Sequence, residues 1–166
     1  MRSSKATLLT LAVLTVAVVA GAQSNRGQAK ATVNGATVTI DYGRPTLQGR
    51  DMLAKAPPGT VWRMGMNEAT VLTTSGDLMF GDVEIPKGSY SLWARRADEK
   101  TWHLVFNKQT GQWGTQHDAS QDFAEVPLEW SKKDDGTEQF TIQLSDSGTF
   151  TMLWGKDVLS ASFKAI

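Results

Sequence analysis

The fold is decided near the start of the chain, by residues 28–42, which run QAKATVNGATVTIDY. Asn34-Gly35 lies at the centre of this stretch. This dipeptide favours the two positive φ angles of a type I′ turn, which joins antiparallel strands. A turn at this point pairs Val33 with Ala36. The stretch therefore predicts a β-hairpin with a defined register.

The register of this hairpin separates apolar from polar side chains completely, because successive residues of a strand point to opposite faces. One face takes Ala29, Ala31, Val33, Ala36, Val38, Ile40 and Tyr42. The other face takes Gln28, Lys30, Thr32, Thr37, Thr39 and Asp41. A slip of one residue would exchange the two faces, so the pattern predicts a half-buried antiparallel ribbon in a single register.

The same alternation continues after the hairpin. Leu78–Phe80 and Val83–Ile85 flank Gly81-Asp82, which is typical of a two-residue turn with glycine first. Pro86-Lys87-Gly88 then leads into a strand at Ser89–Arg95. With a five-residue loop after that strand, the inward face is expected to collect Tyr90, Leu92, Ala94, Trp102, Leu104 and Phe106.

The C-terminal third is predicted to be a four-stranded meander. Its strands are Val126–Ser131, Glu138–Leu144, Thr149–Trp154 and Asp157–Lys164. Its turns are Lys133-Asp134-Asp135-Gly136, Asp146-Ser147-Gly148 and Gly155-Lys156. Its apolar face consists of Val126, Leu128, Trp130, Phe140, Ile142, Leu144, Phe150, Met152, Trp154, Leu159, Ala161 and Phe163.

Many short strands separated by regularly spaced turn residues predict an all-β fold. We expect an antiparallel, jelly-roll-like β-sandwich of about nine to eleven strands. Gly43–Thr60 and Lys108–Glu125 lack alternation and are predicted to be two long loops, with one or two helical turns at Arg50–Ala56. Connections of this length are uncommon in compact domains unless they are functional or disordered. The boundaries are predicted as a short polar segment at 23–27 and a single β-sandwich domain at 28–166.

Composition narrows the function classes. The 166 residues include 17 Lys+Arg, 17 Asp+Glu, two His and no Cys. Nucleic-acid binding needs a basic surface, and the balanced charge gives no sign of one, so no nucleic-acid partner is expected. The absence of cysteine excludes disulfides, thiolate metal ligands and cysteine nucleophiles, and two histidines exclude a three-histidine metal site within one chain.

Five ordered motifs resemble one known family. They are Tyr42-Gly43-Arg44-Pro45, VWRMGMNEAT at 61–70, PKGSYSL at 86–92, Phe106-Asn107-Lys108 and Gly111-Gln112-Trp113-Gly114. Over about residues 28–165, the chain resembles the bacterial exported proteins grouped as domain of unknown function 2911. The resemblance implies export and a β-sandwich-like domain, but no established activity and hence no catalytic residues. His117-Asp118 departs from the family pattern, which has an aromatic residue before the acidic one.

Four polar residues of these motifs are candidates for a ligand site: Arg44, Arg63, Asn67 and Glu68. A guanidinium can hold a carboxylate or a phosphate through two parallel hydrogen bonds. Two arginines with Asn67 and Glu68 can therefore form a polar pocket for an anion or a sugar. The structural alternative is an internal network in which Glu68 pairs with one arginine, since buried charges require partners.

Two tryptophans are further candidates. Trp113 lies between Gly111 and Gly114, where it can stack on a sugar ring or close the open end of the sandwich. The second interpretation is favoured, because large aromatic side chains are mostly buried. Trp93 is expected on the outer face opposite His103, and it is therefore the preferred candidate for an exposed aromatic.

A mixed metal site is the weakest candidate. His103, His117, Asp118, Asp122 and Glu125 are the chemically adequate ligands, but none has a recognised ligand spacing. No metal and no cofactor are therefore expected. The chain also lacks the Gly-x-Ser-x-Gly motif of serine hydrolases and a glycine-rich phosphate loop.

Two functions remain. The favoured one is a non-enzymatic ligand-binding or envelope-associated module with a carbohydrate or small anionic ligand. The alternative is a small extracytoplasmic hydrolase or lyase acting on such a molecule, with Glu68 as the acid/base and Arg44 and Arg63 as an electrostatic clamp. A catalytic glutamate needs a raised pKa, whereas neighbouring arginines lower it. This favours binding; the oligomeric state is not predicted.

The N-terminal residues predict export. Arg2 and Lys5 precede an uncharged run, Ala6–Ala22, which ends in Ala20-Gly21-Ala22. A basic start, an apolar middle and small residues at the end are typical of a cleaved signal peptide, here residues 1–22. The alternative is a retained anchor helix, but the run is at the short limit for spanning a bilayer.

We expect the exported protein to begin at Gln23, to be periplasmic or extracellular, and to have no stable membrane insertion. N-terminal sequencing of the protein recovered outside the cytoplasm tests this. Recovery of all 166 residues in the membrane fraction would contradict it.

Overall fold

The first hairpin forms in the predicted register. In the computed structural model, which describes residues 25–166, Val33 pairs with Ala36 around Asn34 and Gly35, whose φ angles are +46° and +83°. All seven residues of the predicted apolar face are buried. The predicted signal peptide lies outside the described residues. None of the helices in residues 25–166 has the length and apolar character needed to cross a bilayer.

Eleven strands and two short helices form the described part of the chain. The strands are β1 Arg26–Val33, β2 Ala36–Gly43, β3 Val61–Trp62, β4 Val71–Thr74, β5 Leu78–Phe80, β6 Val83–Ile85, β7 Gly88–Arg96, β8 Trp102–Asn107, β9 Asp122–Ser145, β10 Thr149–Ser162 and β11 Lys164–Ala165. The helices are α1 at Met52–Lys55 and a 3-10 turn at Ala119–Gln121.

All the strand pairings are antiparallel, so the predicted all-β class is confirmed. The larger sheet has the order β1-β2-β4-β7-β8-β9-β10, and β3 adds to β7 outside this path. The smaller sheet has the order β11-β5-β6. The larger sheet curls, so that β1 lies close to β9.

The predicted meander is wrong, because β9 and β10 are two long strands of 24 and 14 residues. The turn at Asp146-Ser147-Gly148 is confirmed, but Gly155-Lys156 lies inside β10. Gly155 pairs with Thr137 and Asp157 pairs with Lys132, so residues 133–136 stand opposite Lys156 alone. The turn-forming residues of the two strands therefore face each other and form a large bulge. A bulge bends a paired strand without reversing it.

The predicted apolar face of this region nevertheless lies inward. Most of its members are buried, and Trp130, Leu144 and Ala161 are half-buried against the core. The alternation of side chains explains this. The irregularity at Gly155 shifts by one position which residues of β10 face inward, and the predicted turn would have produced the same shift. Trp154 before it and Leu159 after it both point into the core.

The two predicted loops differ in outcome. The first contains α1, within the predicted helical turns at 50–56, and Asp51 caps it by accepting from the Ala54 N–H at 3.2 Å. The second is shorter than predicted, because β9 begins at Asp122. This loop covers the outer face of β7 and β8, where Ala69, Trp93 and Val105 form a second, small core.

Aromatic rings fill the end of the main core that lies under α1. Trp62 stacks on Trp154 with ring centroids 5.1 Å apart and planes 13° apart. Phe140 meets Tyr42, Trp62 and Trp154 edge-on at 5.3–5.7 Å. Phe140 is fully buried, so this cluster depends on its ring.

We expect Phe140→Ala to lower the free energy of unfolding by about 3–5 kcal/mol, because the cavity left in the cluster cannot collapse. Urea unfolding of the purified protein measures this loss. Phe123→Ala is the control: Phe123 is half-buried, so its loss should be clearly smaller. Equal losses would contradict the placement of Phe140 at the centre of the core.

Candidate functional site

Three of the sequence motifs meet at one junction. Residues 63–68 pass between Gly43 on one side and Gly114 on the other. A Cβ atom at Gly43 would overlap the backbone oxygen of Met66, and one at Gly114 would lie 2.8 Å from the Asn67 oxygen. Only glycine allows such a close approach of two backbones. Gly43 and Gly114 therefore allow residues 63–68 to pack closely between their two motifs.

Backbone hydrogen bonds hold the junction together. The Gly114 N–H donates to the Asn67 carbonyl at 2.7 Å, and the Ala69 N–H donates to the Gln112 carbonyl at 3.0 Å. Between them, Glu68 and Trp113 form an isolated antiparallel bridge. The second long loop is therefore tied to residues 67–69 by strand-like pairing.

The segment reaches this position through an unusual backbone. Met64 and Asn67 have φ angles of +48° and +61°, and Met64 is fully buried. Asparagine adopts the left-handed region readily, whereas methionine does so at a cost of about 1–2 kcal/mol. The Thr70 hydroxyl donates to the Met64 carbonyl at 2.7 Å and holds the strained residue in place. Strain retained in this way is common at functional sites.

Arg63 is the charged residue of the junction that has no partner among residues 25–166. Its side chain is half-buried, and its stem packs along Gly114, where an added Cβ would lie 2.9 Å from Arg63 Cδ. Within residues 25–166, its guanidinium has no carboxylate within 4.0 Å and makes no hydrogen bond to another side chain or carbonyl. A guanidinium has five N–H donors, so an acceptor from outside the chain can be bound here.

Trp113 is exposed, so the prediction that it closes the sandwich is wrong. Its exposed fraction is 46 %. The alternation of the bridge explains this: Gln112 points inward and donates to the Ser91 hydroxyl at 3.1 Å, which leaves the next residue pointing outward. Trp113 is held by two hydrogen bonds with Gln116, at 3.3 and 2.9 Å.

Trp93 is buried, so the preference for it as the exposed aromatic is also wrong. It pairs with Val105, not His103, and its exposed fraction is 2 %. Its indole N–H donates to the Ser91 hydroxyl at 3.0 Å. The His117 ring lies over it with a centroid distance of 4.8 Å. The second loop therefore covers the face that was expected to be open.

Glu68 pairs with neither of the arginines considered from the sequence. Its exposed carboxylate accepts from Arg26 at 3.3 Å, and Arg26 also binds Asp41. The internal network considered as the structural alternative therefore assigned Glu68 the wrong arginine. The true partner, Arg26, lies 42 positions away, on β1. Arg26 lies in the polar segment before the first apolar run, and nothing in that segment indicated that it would bind Glu68.

Within residues 25–166, no hydrogen bond joins Arg44 to the other four candidates. Its guanidinium donates to the Phe140 carbonyl and the Thr141 hydroxyl, both at 3.2 Å. It therefore joins the end of β2 to β9. Arg63, Asn67, Glu68 and Trp113 remain together, and we call them the junction surface.

The two histidines belong to separate clusters. His117 Nε2 lies 2.9 Å from Asp122, whereas His103 Nδ1 lies 3.1 Å from Glu125. The Arg95 guanidinium, which bonds Glu125, holds the pKa of that carboxyl below its ordinary value. Asp118 caps the 3-10 turn. In residues 25–166, no three His, Asp or Glu side chains are grouped so that they could hold a metal ion.

Comparison with known proteins gives one match. The family model described as "Protein of unknown function (DUF2911)" matches residues 24–163. The chain matches no curated protein and no solved structure.

We expect Arg63→Gln and Glu68→Gln to act independently. A double-mutant cycle on the free energy of unfolding should give a coupling within about 0.5 kcal/mol, as for residues without shared contacts. The control cycle, Arg26→Gln with Glu68→Gln, should give about 0.2–1 kcal/mol, as for exposed ion pairs. A stronger coupling between Arg63 and Glu68 than in the control would contradict the assignment of partners.

Proposed function

Because the chain belongs to the family of proteins of unknown function DUF2911, whose description names no activity, we propose its function from the junction surface. The protein is an exported, non-enzymatic binding module that holds a small anionic carbohydrate. Arg63 binds the acidic group, Trp113 stacks on the sugar ring, and Asn67 hydrogen-bonds a hydroxyl group.

The observation that carries this proposal is the guanidinium of Arg63, which has no partner among residues 25–166. Half-burial strengthens the attraction between this charge and an anion, because solvent screens it less than a fully exposed charge. Glu68 does not compete for it, since Arg26 takes up that carboxylate. A carboxylate matches the fork of the guanidinium and can accept two parallel hydrogen bonds from it.

Trp113 supports a sugar as the body of the ligand. A flat, exposed indole offers a large contact area, and its two χ angles make it inexpensive to order on binding. The bridge to Glu68 and the hydrogen bonds with Gln116 fix the backbone beneath it. The backbone that carries the indole is therefore organised before a ligand arrives, which lowers the free-energy cost of binding.

Asn67 supplies the neutral polar contact. Its left-handed backbone presents an exposed amide beside the Gly114–Asn67 hydrogen bond. The amide can both donate to and accept from a hydroxyl group. The three side chains together offer a charge, an apolar plane and an amide, which suits an acidic sugar.

Glu68 is poorly placed for the alternative function, hydrolysis or elimination. A carboxyl acting as a general acid needs a raised pKa, which burial in an apolar cleft provides. The Glu68 side chain is 57 % exposed and pairs with a cation. We place the module outside the cytoplasm because residues 1–22 have the pattern of a signal peptide.

We expect polygalacturonate in a native gel to retard the protein more than neutral dextran does. Arg63→Gln should weaken the polygalacturonate interaction about tenfold, the usual effect of losing a charged hydrogen bond. Trp113→Ala should reduce retardation by both polymers. The free energy of unfolding of each variant should stay within about 0.5 kcal/mol of the parent value.

Arg44→Gln is the matched control, because Arg44 is also half-buried but donates to β9 away from the junction surface. Its retardation should equal that of the parent protein. Parent protein that is not retarded by polygalacturonate would overturn the proposal. Equal losses in Arg44→Gln and Arg63→Gln would also overturn it.

A further inference from the structure

A second concave site lies where the first long loop leaves the sheet. This turn cavity has a volume of 320 Å³, at the lower end of the range for small-molecule sites. Its polar lining consists of two arginines, one threonine and three side-chain amides: Arg44, Arg50, Thr46, Asn25, Gln48 and Gln139. No residue of the junction surface lines it, so the inference below does not depend on the function proposed above.

A tight turn brings the two arginines to the same cavity. Residues 44–47 run beside β9 and are joined to it by backbone hydrogen bonds. The chain then reverses at Gln48 and Gly49, whose φ angles are +51° and +71°. Two successive positive φ angles are typical of two-residue turns that reverse the chain. Arg50, the next residue, therefore returns to the cavity that Arg44 lines.

Both guanidinium groups are held in place by uncharged acceptors. Arg44 donates to its two acceptors on β9 through Nε and Nη2. Arg50 donates through the same two atoms to the carbonyls of Leu47 and Thr46, at 3.1 and 3.0 Å. In the described chain, Nη1 of each arginine makes no hydrogen bond. A guanidinium has five N–H donors, so each can still donate to a ligand from a fixed position.

The charges of the two arginines are not neutralised by the protein. Within residues 25–166, neither guanidinium has a carboxylate within 4.0 Å. Glu138, beside the turn, accepts from the Gln48 N–H at 2.8 Å, and Asp51 caps α1. Two like charges at one cavity repel each other, and an anion between them removes that repulsion. The cavity therefore favours an anionic ligand.

The arrangement of donors fits a phosphate group better than a carboxylate. A phosphate monoester carries nearly two negative charges at neutral pH and three strong acceptor oxygens. A carboxylate carries one charge and two oxygens in one plane, which a single guanidinium can satisfy. Here two guanidinium groups and the amides of Asn25 and Gln139 line one small space. A ligand with three acceptor oxygens can use more of these donors.

We propose that the turn cavity binds the terminal phosphate group of a phosphate monoester. The free Nη1 groups of Arg44 and Arg50 donate to its oxygens, and the amides of Asn25 and Gln139 donate to those that remain. The small volume admits one phosphate group with a short substituent and excludes a strand of polysaccharide. Arg44→Gln therefore remains a valid control for polygalacturonate binding at the junction surface.

Calorimetric titration with glycerol 3-phosphate tests this site, and acetate at equal ionic strength tests the preference for phosphate. We expect glycerol 3-phosphate to bind one to one and to raise the melting temperature, since a ligand that binds only the folded state stabilises it. Acetate should bind at least about tenfold more weakly, because it can use fewer of the donors. Failure of glycerol 3-phosphate to bind, or equal binding of acetate, would overturn the proposal.

A second arm distinguishes a soluble phosphate monoester from a lipid headgroup. Phosphatidylcholine vesicles that contain phosphatidic acid present the same terminal phosphate group at a membrane surface. Co-sedimentation that glycerol 3-phosphate abolishes would assign the cavity to the lipid. Binding of glycerol 3-phosphate without co-sedimentation would assign it to a soluble compound, and both results support a phosphate site.

Two arginine variants test the residues, and a third serves as the control. Arg50 is exposed, so Arg50→Gln should fold normally and weaken glycerol 3-phosphate binding about tenfold, as expected for a lost charged hydrogen bond. Arg44→Gln should have a similar effect, but Arg44 also joins β2 to β9, so Arg50→Gln keeps the test valid if Arg44→Gln does not fold.

Arg63→Gln is the matched control, because Arg63 is a half-buried arginine that does not line the turn cavity. Its affinity for glycerol 3-phosphate should equal that of the parent protein. Unchanged affinity in Arg50→Gln, or equal weakening in Arg63→Gln, would overturn the proposal. Loss of polygalacturonate binding in Arg63→Gln tests the junction surface separately, so the two sites can fail independently.

Discussion

The buried guanidinium of Arg96 determines how one end of the molecule is closed. A charge away from water is tolerated only when its donors are satisfied, and here backbone carbonyls of the first long loop and of the β7–β8 turn supply the acceptors. The loop must therefore follow one path over the end of the sheet. Leu53 enters the core on that path, and Trp102 and Trp130 lie against the guanidinium. The contacts that close this end of the core are thus the same ones that fix the path of the loop.

The second loop closes the outer face of the sheet by different means. There the contact is made by backbones that approach each other at glycines, and the polar side chains of Gln112 and His117 are directed toward the sheet. The first closure leaves the indole N–H groups of Trp102 and Trp154 without an acceptor in the described chain, and the second leaves the Arg63 guanidinium without one. Elsewhere most buried polar side chains are partnered. The unpartnered groups therefore lie where the two loops meet the sheet, which is where β-rich proteins commonly place binding sites.

The features that depend on neighbouring residues in the sequence were predicted correctly. The Asn34-Gly35 hairpin depends on neighbouring residues, and its register and faces follow directly from the sequence. The prediction of a C-terminal meander was wrong because the turn-forming residues at 133–136 and 155–156 face each other. Only the pairing of the two strands shows this. Trp93 and Trp113 exchanged their expected environments for a similar reason, since the small core around Val105 is created by a distant loop. Arg26 and Arg96 belong to no motif, so nothing in the sequence indicated the ion pair of the first or the loop contacts of the second.

The tether formed by Arg96 has a consequence for the evolution of this fold. Its acceptors in the first loop are main-chain oxygens, which every amino acid carries, so the tether is indifferent to the side chains at positions 54 to 56. Relatives can replace Met52 or Lys55 and still keep the loop in place. The surface of α1 can thus change while the scaffold stays constant, which makes this end of the molecule suited to diversification after gene duplication.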